Sequence, residues 1–170
     1  MPISRRRVIA GLGAVSTLAL LPRVALAKYP ERPIRLIVPF AAGGNADIVG
    51  RIVGDRISSA LGQPVVIENR GGAGGSIGAE AVARSAPDGY TLLVASNGPL
   101  TVNPFVQAKL GYDPLKDFAP IALTSYEPHV IILNSKVEAK TIADLIALSK
   151  KAQVSIATSG VGSATHMTLE

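Results

Sequence analysis

The 170-residue chain contains no cysteine and no tryptophan, and aromatic residues make up 4% of it. Without cysteine there can be neither disulfides nor a thiolate metal site, so core packing has to supply the stability. Acidic residues are absent from one whole stretch. Met1 to Ala27 holds Arg5, Arg6, Arg7 and Arg23 and no carboxylate, which leaves 13 basic and 12 acidic groups in the remaining 143 residues. The net charge of +5 therefore belongs mostly to the start of the chain. The rest has no basic patch of the kind that tracks a phosphate backbone, and nucleic acid is not an expected partner.

A membrane-crossing run is also lacking. The apolar stretch Val8 to Leu21 falls short of the ~20 residues needed to span a bilayer. It follows Ser4-Arg5-Arg6-Arg7 and precedes Pro22, Arg23 and the small-residue site Ala25-Leu26-Ala27, the layout of an export signal cut after Ala27. The Arg-Arg pair after Ser4 resembles a twin-arginine signal, although an Arg-rich start also suits the general export route. Lys28 is the expected first residue of the mature chain.

From there strands and helices alternate. Ile34 to Val38 is a short β-branched run ended by Pro39, and Ala46 to Leu61 carries Ile48, Val49, Ile52, Val53, Ile57, Ala60 and Leu61 as one helical stripe, closed by Gly62. Pro64 to Glu68 predicts a second strand, Asn69 to Gly75 a glycine-dense loop, Ser76 to Arg84 a helix, and Tyr90 to Ser96 a third strand. Asn97 to Pro120, with four prolines, has room for only a short helix. Three further strands are expected at Ile121 to Thr124, Val130 to Leu133 and Val154 to Thr158. A helix over Ile142 to Lys151 should be capped by Thr141 with Asp144 as its partner. Ser159 to Ser163 then begins another loop and helix. The chain stops in the first turns of that helix, where an apolar face has nothing yet to pack on, and this suggests a truncated protein. The sequence holds neither an internal repeat nor a low-complexity tract that would offer another account.

The alternation predicts an α/β fold with a largely parallel sheet. Three loops then share one position, between a strand's end and a helix's start: Phe40 to Asn45, Asn69 to Gly75 and Thr158 to Ser163. Ligands bind at that edge, glycine lets them approach the backbone, and helix-start N–H groups favour an anion. Glycines that merely form turns are the plainer explanation for any single loop. The phosphate fingerprints G-x-x-x-x-G-K-[ST] and G-x-G-x-x-G are absent. A carboxylate needs only two or three donors, which Ser76, Ser96, Asn97, Ser159 and Ser163 could supply.

Catalytic and metal sites are harder to assemble. The two histidines, His129 and His166, have no G-x-S-x-G elbow and no metal-ligand spacing beside them. His166 is either a hydrogen-bonding site residue or simply a helix-start residue, and His129 a surface residue at a strand start. Asp47 fits two roles equally, ligand contact or complement to the helix dipole.

The motifs Tyr29-Pro30-x-Arg32-Pro33 through Val38-Pro39-Phe40-Ala41-Ala42-Gly43-Gly44-x-x-Asp47, Leu61-Gly62-Gln63-Pro64, Glu68-Asn69-Arg70, Gly74-Gly75-x-Ile77-Gly78, Pro87-Asp88-Gly89-Tyr90-Thr91-Leu92, Tyr112-Asp113-Pro114 and Asp117-Phe118-x-Pro120 resemble the Bug family. These are the periplasmic solute-binding receptors of tripartite tricarboxylate transporters. The resemblance covers the chain from Lys28 onward. It implies a periplasmic-binding-protein-like two-lobed α/β clamshell that captures a small carboxylate and passes it to membrane permease subunits, without catalysis and without a cofactor or metal.

Carried over by motif, Phe40, Ala42, Gly43, Gly44 and Asp47 would face the ligand. Gly74, Gly75, Ser76, Ser96 and Asn97 would line the same side, and Thr158, Ser159, Gly160, Ser163 and His166 the opposing lobe. The sequence departs from the pattern before Val154, where Lys151-Ala152-Gln153 replaces a Pro-Gly turn. Family members also run to about twice this length, so the second lobe should be incomplete. The expected organisation is a signal over 1–27, a first lobe over 28–124 and the start of a second over 125–170, in a monomer. An alternative is an exported α/β hydrolase or transferase with Ser159 or Ser163 as nucleophile and His166 as base; another is a nonfunctional remnant.

Overall fold

The structure, a computed structural model, describes residues 28–169. The expected export signal lies outside the described residues. Residues 28–31 belong to a unit separate from the one that starts at Arg32. In that short segment the Lys28 amide donates to Glu31 Oε1 at 3.1 Å.

The chain from Arg32 is built on a three-stranded parallel sheet of order β2-β1-β3, with β1 at Ile34–Val38, β2 at Val65–Asn69 and β3 at Thr91–Leu93. Ile34 pairs with Val65 and Val38 with Asn69, while Arg35 pairs with Thr91 and Ile37 with Leu93. The central strand forms the core: Ile34, Ile37 and Val38 are fully buried and Leu36 nearly so, whereas Arg35 reaches out to Glu68 at 2.7 Å. A strand with partners on both edges and cover on both faces is mostly apolar, and Ile34–Val38 is so at every position but Arg35.

Helix α1, Asn45–Leu61, crosses from β1 to β2 and ends at Gly62 in the left-handed conformation. Its buried face differs from the expected stripe. Asp47, Gly50 and Gly54 are buried, while Ile48 and Ile52 are more than half exposed. The reason is steric. A Cβ on Gly50 would lie 2.8 Å from Val38 Cγ2, and one on Gly54 would lie 2.9 Å from Ile67 Cδ1. These two glycines, one turn apart, form a notch that brings the helix backbone down onto β1 and β2 and turns the isoleucines sideways.

A 3-10 turn over Ala73–Gly75 leads into α2, Ser76–Ala83. After β3 a π-helical turn, Gly98–Val102, runs into the short α3, Asn103–Val106. Helix α4, Ile142–Ser149, has the expected cap: Asp144 N donates to Thr141 Oγ1 at 3.1 Å and Thr141 N to Asp144 Oδ2 at 2.9 Å. The last helix, α5, covers Ala164–Met167.

The strands expected at Ile121 to Thr124, Val130 to Leu133 and Val154 to Thr158 are not formed. Their residues carry no strand ladder, and Ile121, Leu123, Val130 and Ile132 are 76–87% exposed. β-branched composition expresses a preference for the pleated backbone, but a strand exists only once a neighbour takes up its N–H and C=O groups. Among the described residues these segments have no such neighbour. Two of them, together with Leu145 and Leu148 of α4, line an open pocket of about 700 Å³.

Candidate carboxylate site

The β1–α1 loop is fastened from below by Asp47. Its carboxylate, 3% exposed, accepts the Gly43 amide at 2.9 Å and Arg51 Nε at 3.0 Å on Oδ2, and Asn69 Nδ2 at 3.0 Å on Oδ1. The Arg51 guanidinium, then the Gly43 amide and Asn69, hold this carboxyl well below its ordinary 3.8, at about 2. Asp47 is thus ionised and engaged on both oxygens. Asn69 Nδ2 also donates to the Phe40 carbonyl at 3.2 Å, and Gly44 N reaches Ala41 O at 3.4 Å. The cap of α1 is Gly44, with no side-chain hydrogen bond, so Asn45 is the helix's first residue. The amides of Asn45 and Ala46 carry no partner among the described residues. At the head of a 17-residue helix, such groups are ready donors to an anion. The Asn45 side chain donates to Glu127.

The β2–α2 loop is held by residues from after β3. Asn103, fully buried, donates through Nδ2 to Ser76 Oγ at 2.7 Å, Ala73 O at 3.2 Å and Gly74 O at 3.4 Å. Tyr112 Oη donates to Pro99 O at 2.6 Å and lies 3.4 Å from Ser76 Oγ. Burial raises the Tyr112 phenol above its usual range. Ser76, 6% exposed, therefore turns its hydroxyl inward to Asn103 and Tyr112. Phe40 lies alongside: a Cβ on Gly75 would be 3.4 Å from its Cζ. Ser96 is half-buried and Asn97 exposed at the entry to the π-helical turn, where the Asn97 carbonyl accepts Thr101 Oγ1 at 2.8 Å.

The 158–163 loop meets the β2–α2 loop and the start of the π-helical turn backbone to backbone. A Cβ on Gly74 would fall 2.5 Å from Val161 O and 2.9 Å from the Gly162 carbonyl carbon. Gly162, at φ 78°, faces Asn103 Oδ1, and any side chain there would collide with it. Glycine is required on both sides of this contact.

Within that loop the hydroxyls converge on Thr165. Ser159 Oγ lies 2.8 Å and Ser163 Oγ 3.0 Å from Thr165 Oγ1. Ser163, 1% exposed, caps α5 by accepting the His166 amide at 3.3 Å, and the Gly160 amide donates to Thr158 Oγ1 at 3.3 Å. His129, with Nδ1 2.9 Å from Thr168 Oγ1, lines one open pocket with Ser159 and Thr165. The described residues include no group of three or more His, Asp or Glu side chains that could hold a metal ion.

The structure thus brings Phe40, Gly74, Gly75 and Ser76 together with Gly160 and Ser163. It places Ala42, Gly43 and Gly44 on the exposed loop above a buried Asp47. Sequence reasoning missed Asn69, Asn103, Tyr112 and Thr165. Asn69 alone had a local signal, as a strand-ending polar residue before a glycine loop.

The family described as tripartite tricarboxylate transporter family receptor matches residues 49–170. Protein BugT of Bordetella pertussis is 38% identical over 168 residues, covering 96% of this chain and 52% of the relative. The solved structure of Rpa4515 from R. palustris with adipate superposes with a TM-score of 0.78 at 33% identity, over 83% of this chain and 48% of that one. The periplasmic binding protein BugD superposes with a TM-score of 0.64 at 39% identity, over 82% and 47%. The chain spans about half the length of the relatives it matches. Its parallel α/β architecture is that of the periplasmic binding proteins, and by sequence and fold alike the chain belongs to the tripartite tricarboxylate transporter receptor family.

Proposed function

We propose that this protein is a periplasmic receptor that holds a small carboxylate for the permease subunits of a tripartite tricarboxylate transporter and does not transform it. The observation that carries the reading is the head of α1. There, unpartnered amides of Asn45 and Ala46 sit above a loop whose own carboxylate, Asp47, is buried and engaged. Family membership and the adipate named with Rpa4515 support the ligand class. In this reading residues 28–124 and 125–170 contribute to two lobes, and the loop around Gly160 to Ser163 belongs to the second. The Arg-rich start of the chain supports export with cleavage after Ala27.

Calorimetric titration of the protein with succinate, malate, adipate and citrate tests the ligand class. Saturable binding of at least one, with one ligand per chain and no turnover of simple esters, is the expected outcome. Ester hydrolysis abolished by Ser163→Ala would overturn it in favour of a hydrolase. Recovery of the chain in the periplasmic fraction, lost when Arg5 and Arg6 are replaced by Lys, tests the twin-arginine route. Size-exclusion chromatography should give a monomer.

A further inference from the structure

We propose that Asn69 is the positioning residue of this carboxylate seat, and that its task is to keep the seat's own negative atoms turned away from the ligand; the inference rests on the receptor reading above. A loop that offers amides to an anion faces a difficulty, because its carbonyls and carboxylates repel the same anion. Two such groups lie under the β1–α1 loop: the Phe40 carbonyl and the Asp47 carboxylate. An asparagine amide nitrogen carries two hydrogens, and Asn69 places one on each, at 3.2 Å to Phe40 O and 3.0 Å to Asp47 Oδ1.

Its location makes this hold rigid. Asn69 is the last residue of β2 and is register-paired with Val38, which ends β1. The hold then passes upward, since Asp47 takes the Gly43 amide at 2.9 Å. One side chain on the sheet thereby fixes a carbonyl, a carboxylate and a loop amide, and leaves the Asn45 and Ala46 amides as the donors facing out. Without Asn69, the Phe40 carbonyl is free to rotate and Asp47 keeps only Arg51 and Gly43.

Amide hydrogen exchange on the full chain, corrected for intrinsic rates, reads the hold directly, with β3 as internal control and adipate as the binding probe. In Asn69→Ala, protection of the bonded loop amides, Gly43, Asp47 and Ile48, should fall about tenfold or more while β3 is unchanged, and any adipate affinity should fall with it. Asn69→Asp keeps the shape but sets a second carboxylate against Asp47. Its loop should be loose at pH 8 and recover towards wild type near pH 5, where the pair can share a proton. The charged group facing that pair is Arg51, beside the Gly43 amide; the flanking Glu68 and Arg70 are paired with each other at 2.5 Å. Wild type should be flat over this range.

Unchanged loop protection in both variants would overturn the proposal. So would loss spread equally over β3, since Asn69 would then be serving the sheet. Wild type that binds none of the four carboxylates would overturn the receptor reading, whereas the exchange result would still decide whether Asn69 holds the loop.

Discussion

Residues 34–93 and residues 121–158 both carry short β-branched runs, and they end differently. Ile34 to Val38 is sealed between two neighbours, while Val130 to Leu133 and Val154 to Thr158 carry no ladder. The runs are similar in composition, so composition does not decide the outcome. Pairing does. Ile37 is fully buried and Ile132 is 86% exposed, although each sits in the middle of an apolar run. A strand is a property of at least two segments, and an apolar run without a partner is only a candidate.

The sharpest way to break this comparison is to truncate one residue on each side. Ile37→Ala should destabilise by about 2–5 kcal/mol, because it empties a filled core position. Ile132→Ser should change the thermal midpoint by no more than about 0.5 kcal/mol would, because the side chain it removes is 86% exposed. Equal effects in circular-dichroism melts would mean that the later run is packed after all.

Gly50→Val comes next, at about 1–3 kcal/mol, since its side chain has to displace Val38 and lift α1 off the sheet. Thr141→Ala should cost about 1 kcal/mol and be confined to α4, measured as faster exchange of residues 142–149 with β1 unaffected. A global effect would show that the two regions unfold together.

The smallest effect expected at neutral pH is the acid dependence of the β1–α1 loop. The Asp47 carboxyl is lower in the folded state than its ordinary 3.8, so its contribution is complete above pH 4 and is lost as pH falls through about 2. The Gly43 amide resonance should titrate with that low midpoint, and Asp47→Asn should abolish the titration. A midpoint near 3.8 would show that Asn69 and Arg51 do not hold the carboxylate.

Where the sequence was informative, it was informative for local reasons. The limits of β1, the Gly62 stop and the Thr141–Asp144 cap depend on residues within a few positions of one another, and each emerged as expected. The inward face of α1 did not, because the stripe of isoleucines outweighs two glycines on any hydrophobic scale, and only the closeness of Val38 and Ile67 shows what the glycines are for. The same limit applied at the site. Its glycine loops were visible as strings, but Asn69, Asn103 and Tyr112 act on atoms 13–36 positions away, a relation no window of sequence contains.

The order β2-β1-β3 also bears on how quickly this molecule can form. Its first strand lies in the middle and is parallel to both neighbours, so no tight turn delivers either of them. Leu36 must wait for Ile67 on one side and for Leu92 on the other. Loop closure has to come before any reward from contact, which is the regime of slow folding. During that interval Ile34 to Val38 is an uncovered apolar segment, and a newly made chain is most exposed to aggregation until Leu93 has been added and docked.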